Sequence, residues 1–399
     1  MDQSRLNAID AFLQEKYIAS GRLPGLQLLV HHRGQPVHHA IAGHADRERN
    51  IPWAENTIAR IYSMTKPLTS VAAMQLVENG KLALEDPVHR YIPEWRNMGV
   101  FAAGTHRIGF QTTPTRRPMT VLDLFRHTAG LTYGFQLRTN VDAAYRGAKI
   151  GELEKAGTLA DMIANLAKIP LDHHPGEAWT YSVATDVLGW LVQVVSGMPF
   201  EEYLKKNVLD VVGMPDTGFH VQPENHARLA ACYQAGQLGA GGQDGRATLQ
   251  DDPETSPYRE PPAFVSGGGG LVGTAADYMA FCEALRTGRP RIIGRKTLEL
   301  MTANHLPGGV DLPALSRSLF SEASYEGVGF GLGFATTTSP ARTGIAGSAG
   351  DYFWGGAAST FFWIDPVEEL SVVFLTQLIP SSTYPVRREL RTMLYAALE

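Results

Sequence analysis

Cysteine is nearly missing from this sequence: 399 residues contain two, Cys232 and Cys282. They lie far apart among apolar neighbours, so two buried free thiols are expected ahead of a disulfide. Long hydrophobic runs are also missing. The best candidate, Val187 to Val195, is about half the ~18 residues that a bilayer span needs, so no membrane partner is expected. Positive charge is never concentrated: 35 Lys and Arg face 40 Asp and Glu, for a net charge of −5, which argues against nucleic acid. The opening residues Met1-Asp2-Gln3-Ser4-Arg5 lack a basic segment followed by an apolar one, so the expectation is a cytoplasmic protein without a secretory leader. Nor is there a Gly-x-Ser-x-Gly, which weighs against an α/β-hydrolase triad.

What is present is enough apolar material for a sizeable core. Hydrophobic residues make up 44% and charged residues 19%, which excludes wholesale disorder. The length allows roughly two or three domains. At the N-terminal end Leu6, Ile9, Phe12 and Leu13 recur at helical spacing and predict a helix over 3–17. The run Leu26 to Val30, closed by Arg33-Gly34, reads as a strand with Pro36 to Ala42 as its hairpin partner. At the far end Ser359 to Ile364 and Leu370 to Thr376 read as antiparallel strands joined by the turn at 365–369. A closing helix is predicted with Thr383 as cap, Pro385 in its first turn, and Val386, Leu390, Leu394 and Ala397 on one face.

The middle of the chain is richer in helical segments, clearest at Val121 to Phe125, Leu159 to Ile169 and Thr185 to Val195. Residues 100–118 and 240–263 read as long loops. The expected organisation is an α/β (α+β) domain from residues 1–81 and 266–399. A mainly helical domain, 82–265, is inserted into it, with the active site between the two.

The strongest chemical signal is Ile61-Tyr62-Ser63-Met64-Thr65-Lys66-Pro67-Leu68. Ser63 and Lys66 are three apart at the head of an apolar helix, which puts the amine within reach of the hydroxyl. Unpaired N–H groups at a helix start favour a developing negative charge, so this turn can supply a nucleophile, a base and part of an oxyanion site. The same residues also suit a plain helix cap followed by a lysine whose amine reaches solvent. A second segment, Trp179-Thr180-Tyr181-Ser182-Val183, precedes another apolar helix. A phenol at ~4 Å from an ammonium is stabilised as phenolate by about 4 kcal/mol, enough to draw Tyr181 towards neutral pH as a base, and the plainer role is a packed tyrosine. A third, Asp351-Tyr352-Phe353-Trp354-Gly355-Gly356-Ala357, leads into a strand, where glycines admit either a ligand or a tight turn.

Together these segments resemble the serine β-lactamase and penicillin-binding-protein superfamily. The likeness is greatest to its class C-like branch, the family VIII carboxylesterases. Leu124 to Leu131 and Ser266-Gly267-Gly268-Gly269-Gly270-Leu271 extend the resemblance, which covers about residues 5–398. It implies a β-lactamase/transpeptidase-like fold, an antiparallel sheet flanked by helices. It implies that Ser63 is the nucleophile and that Lys66 and Tyr181 form its base pair. It makes the N–H groups of Ser63 and Ala357 the oxyanion hole, and it brings Tyr133 to the pocket. Trp354, Gly355 and Gly356 stand at the substrate-binding strand, where the lactamases place Lys-Thr-Gly. An indole offers no charge for a substrate carboxylate, so neutral esters are expected ahead of β-lactams. The implied activity is hydrolysis of short-chain carboxylic esters through an acyl-enzyme on Ser63, with a small-molecule substrate, no cofactor and no metal.

Rival readings keep the same residues for a β-lactamase, a D-amino-acid amidase or peptidase, or an acyltransferase. A further rival is a non-catalytic relative used for assembly or ligand sensing. Gly268 to Gly273 matches G-x-G-x-x-G without the strand and acid that a dinucleotide site needs, and Thr274 with Asp277 reads as a capping box. The pairs His31-His32, His38-His39 and His173-His174 lack zinc-site spacing, and His127 reads as structural. Oligomeric state is not set by the sequence.

Overall fold

The computed structural model describes residues 1–151, 157–236, 247–317 and 324–399. Asp2 opens helix α1 (Gln3–Leu13) by accepting from the Ser4 and Arg5 N–H groups, and Leu6, Ile9 and Leu13 turn inward. The rest of the expected 3–17 helix is a wider π-turn, Gln14–Ala19, that buries Tyr17. Strands β1 (Gly25–His32) and β2 (Gln35–Asp46) form the expected hairpin. Arg33 and Gly34 both take positive φ (53° and 75°), as a two-residue hairpin turn demands. A short strand β3 (Ile51–Pro52) edges β2.

Helix α2 (Thr65–Glu78) is apolar on nearly every side, with Leu68, Val71, Ala72, Ala73 and Met74 fully buried. A helix of that kind needs neighbours all round, and α3 (Ala184–Ser196) runs along it. Helix α4 (Ala275–Thr287) follows, and the chain then completes the sheet. Strands β4 (Val328–Phe330), β5 (Ala335–Thr337), β6 (Tyr352–Gly355), β7 (Phe361–Asp365) and β8 (Leu370–Thr376) come in order, and α5 (Val386–Ala396) closes the chain.

The main sheet has eight strands in the order β4-β5-β6-β7-β8-β1-β2-β3, each antiparallel to its neighbour. The two ends of the chain meet at β8 and β1, where Leu28 lies opposite Phe374. Strand β7 shows why its sequence is apolar without alternation. Phe361 and Trp363 face Arg387 and Arg391 of α5, while Phe362 meets Tyr278 of α4 at 5.0 Å. Helices cover both faces, so both faces must be apolar. This is the β-lactamase/transpeptidase-like architecture, and Cys232 and Cys282 are buried free thiols.

Four expectations need correction. Thr383 does not cap α5: its hydroxyl donates to the Pro380 carbonyl at 2.7 Å, and Pro385 occupies the cap position itself. Thr274 accepts from the Asp277 N–H at 3.2 Å, but the Asp277 carboxylate turns away to the Asp216 N–H and Thr217 hydroxyl, so the capping box is half made. Residues 100–118 are not loop throughout, because Val100–Thr105 and Gly109–Thr113 pair as a hairpin. Within 240–263 the strand Thr248–Asp251 pairs with Cys232–Gln234, while 240–246 lie outside the described residues. The 100–113 hairpin is largely solvated and lacks the apolar alternation that marks a half-buried strand, while Thr248–Asp251 alternates between exposed and half-buried but turns a carboxylate, Asp251, inward beside Leu249. In the middle region, by contrast, Val121–Phe125 is a helix with the expected bounds, and Leu159–Leu166 falls inside its expected range.

Candidate active site

Ser63 sits in a single 3-10 turn, Tyr62–Met64, that feeds directly into α2. Tyr62 takes φ 43°, a left-handed conformation that costs a non-glycine residue about 1–3 kcal/mol. Packing holds it there, since Tyr62 is buried against Cys232, Ala358 and Ile379. The strained step leaves Ser63 half-buried. One turn on, Lys66 is 2% exposed, so its amine does not reach solvent. Its Nζ donates to Ser63 Oγ at 3.2 Å and to the Gly268 carbonyl at 2.6 Å. Met64, at the cap position of α2, makes no side-chain cap bond, and the plain-cap alternative for this turn fails on both counts.

The segment before α3 brings Tyr181 to the same point. Its hydroxyl shares a hydrogen bond with the Ser63 hydroxyl and accepts from the Trp354 indole N–H at 3.2 Å. Lys66 Nζ lies 4.4 Å from the centre of the Tyr181 ring and 5.4 Å from that of Tyr133. Burial is the largest influence on Tyr181 and pushes its phenol well above 10, and the bonds from Ser63 and Trp354 offset this only in part. The expectation of a phenol drawn towards neutrality is therefore overturned: desolvation of the phenolate outweighs the hydrogen bonds that favour it.

Beside the serine, the end of β6 is pressed against the residues that precede it. A Cβ on Gly356 would stand 2.3 Å from the Ile61 carbonyl oxygen, so only glycine allows the contact. The Gly356 N–H donates to the Thr360 carbonyl at 2.8 Å. Among the described residues no backbone carbonyl accepts from the N–H of Ser63 or of Ala357, the two donors expected to form an oxyanion hole. Gly355 points its missing side chain at Arg387, where a Cβ would meet Nη2 at 2.2 Å. Successive strand residues face opposite ways. Trp354 therefore looks into the site while Arg387 stands behind the strand, and Gly355 and Gly356 can meet a ligand only through their main chain.

Around the Ser63–Lys66–Tyr181 cluster the walls are aromatic. Tyr133, Trp179 and Trp354 lie within 6.0 Å of the Tyr181 ring, and Phe330 is 5.3 Å from Trp354. Tyr133 stacks on Phe135 at 4.7 Å, and Phe135 is 46% exposed. His127 packs on Tyr181 at 5.0 Å and its Nδ1 meets the Ser182 hydroxyl at 3.1 Å. Burial, with the Lys66 charge adding to it, holds the imidazole far below its ordinary pKa, so it is neutral. Trp179, Phe330, Gly268 and Asp186 escaped sequence reasoning as site residues. For Asp186 a signal existed: it is the one charge in the apolar run of α3.

A buried lysine and tyrosine converging on a half-buried serine, set beside an antiparallel sheet, mark a β-lactamase-fold serine hydrolase or acyltransferase. A family model described as Beta-lactamase matches residues 8–396, and the chain belongs to that family. Esterase EstB of Burkholderia gladioli is 31% identical over 98% of this chain and 95% of its own length. An acyltransferase, calJ of Penicillium decumbens, is 25% identical over 84% of this chain and 79% of its own. The solved structure of EstCE1, described as a hydrolase with promiscuous acyltransferase activity, superposes with a TM-score of 0.80 at 28% identity, covering 98% of this chain and 99% of that one. Among the described residues no helix is long and apolar enough to cross a membrane.

Proposed function

We propose that the protein is a serine esterase of the family VIII type, acting on small, uncharged carboxylic esters. The observation that carries this reading is Ser63 Oγ held by Lys66 Nζ at 3.2 Å and by the Tyr181 hydroxyl, with Trp354 closing the site. With the coupled Lys66–Tyr181 pair short of one proton, Ser63 Oγ attacks the ester carbonyl carbon and its proton passes to that pair. The N–H groups of Ser63 and Ala357 take the oxyanion, a donor pair in which each member is worth about 3–4 kcal/mol to the transition state. As the C–O bond breaks, the pair returns the proton to the leaving alcohol. Water then enters, gives a proton to the same pair and attacks the acyl carbon, and the pair passes that proton to Ser63 Oγ as the acid leaves. An indole in place of a cation leaves a substrate carboxylate without a counter-charge, which favours esters over β-lactams.

A fluorophosphonate adduct mapped by mass spectrometry tests the nucleophile, with Ser63 as the expected position. Rates on p-nitrophenyl butyrate, nitrocefin and a D-alanyl amide test the bond, with the ester expected to lead by a wide margin. Activity retained in Ser63→Ala, or a dominant nitrocefin rate, would overturn the reading. Acyl transfer to an alcohol in place of water is a second reading. The aromatic walls around Ser63 and the acyltransferase relatives favour it, and product partition with an added alcohol separates the two.

A further inference from the structure

The glycine-rich run 266–270 has no role in the chemistry above, yet it touches the base directly through the Gly268 carbonyl. Its other contacts explain how that carbonyl is held. Asp186, 1% exposed on α3, accepts from the Ser266 hydroxyl at 2.6 Å and from the Gly268 N–H at 3.0 Å. A Cβ on Gly268 would stand 2.6 Å from the Asp186 carboxylate, and one on Gly267 would stand 2.9 Å from the Thr185 carbonyl. The glycines therefore let the loop settle on α3. Gly268 thus joins the two charges, with its N–H on the carboxylate and its carbonyl on the ammonium.

We propose that Asp186 is a positioning residue that fixes Lys66 through Gly268 and supplies the buried negative charge against which the Lys66–Tyr181 pair takes up its proton. The proposal rests on the roles given above to Ser63 and Lys66. A buried carboxylate is costly unless its charge is used, and among the described residues Asp186 makes no ion pair within 4.0 Å. Its influence reaches Tyr133 and Tyr181, both of which it helps to raise. The other titratable groups on this side are His127, which feels the Lys66 charge, and Tyr325, which faces Tyr181.

The test compares wild type with Asp186→Asn, Asp186→Glu and Ser266→Ala, measuring kcat and KM on p-nitrophenyl butyrate across pH. Asp186→Asn keeps an oxygen for both hydrogen bonds and loses only the charge. The protonated pair is then less favoured, so the acid limb of kcat/KM moves to lower pH by about one unit or more. Ser266→Ala keeps the charge and removes one hold on the loop. It is expected to leave the limb in place and lower kcat by about tenfold, with little change in KM. Asp186→Glu keeps the charge but displaces Gly268, and behaves like Ser266→Ala. An Asn variant with the wild-type limb overturns the proposal. If that variant does not fold, wild-type kcat in both other variants overturns it. Failure of wild type to form a fluorophosphonate adduct on Ser63 would instead sink the underlying reading, whatever Asp186 does.

Discussion

The indole N–H of Trp354 donates to the Tyr181 hydroxyl at 3.2 Å, joining residues 173 apart in sequence inside a buried aromatic shell. The tryptophan thus does more than vacate a place that a cation fills in the lactamases: it holds the oxygen that meets Ser63. Trp354→Phe keeps an aromatic ring and removes the donor. Steady-state kinetics on p-nitrophenyl butyrate should show kcat reduced by about tenfold, the rate equivalent of one hydrogen bond, with KM within about twofold. An unchanged kcat would mean that the bond is incidental.

Gly356 carries a different kind of prediction. Its hydrogen faces the Ile61 carbonyl two residues before the nucleophile, and an added methyl would collide with that main-chain oxygen as well as with the Thr360 hydroxyl. Gly356→Ala should destabilise the fold by about 1–3 kcal/mol in urea denaturation. Because the displaced segment carries Ser63, kcat should fall more than the stability loss alone implies. Wild-type kcat in a folded Gly356→Ala protein would show that the Ile61–Gly356 contact does not set the serine.

His127 makes stability depend on pH. Its folded pKa lies well below the ordinary value near 6.5, first through burial and then through the Lys66 charge. The unfolded chain therefore binds a proton below about pH 6.5 that the folded chain refuses, so this contribution is complete above that pH and is lost as pH falls. The slope approaches about 1.4 kcal/mol per pH unit for one such group. His127 also takes φ 57°, which asparagine tolerates better than most residues. His127→Asn should show a smaller loss of unfolding free energy between pH 7 and pH 5 than wild type does. Equal slopes would assign the pH dependence to other groups.

Arg60 tests the scaffold behind the nucleophile. Fully buried three residues before Ser63, it binds the Asp251 carboxylate at 2.6 Å, the Ala230 carbonyl at 2.5 Å and the Ser256 hydroxyl at 3.0 Å. Arg60→Met leaves those acceptors without their donor. A loss of about 3 kcal/mol in unfolding free energy is expected, since breaking one side of a buried pair strands the other. A variant as stable as wild type would show that the network is dispensable.

The elements legible in the sequence were those whose pattern is local. Leu26 to Val30 with its Arg33-Gly34 turn, the helix at 121–125 and the strand at 370–376 each carry their own periodicity and punctuation. The hairpin at 100–113 did not show because a largely wetted strand needs no apolar alternation, and the strand at 248–251 did not show because its inward face pairs Leu249 with the acidic Asp251. The missed cap at Thr383 has a similar cause. A threonine hydroxyl has several acceptors within reach, and here the Pro380 carbonyl takes it.

The candidate site divides in the same way. The meeting of Ser63 and Lys66 was already written in their spacing, because residues three apart on a helix share a face whatever surrounds them. Tyr181 and Trp354 were reached through the family resemblance rather than through spacing, and folding alone decided that the Trp354 indole donates to the Tyr181 hydroxyl, that Gly268 receives the amine, and that Asp186 stands behind it. It also reversed the expected state of the Tyr181 phenol, because the cost of burying a charge depends on the depth of packing around it, a quantity that no spacing of residues contains.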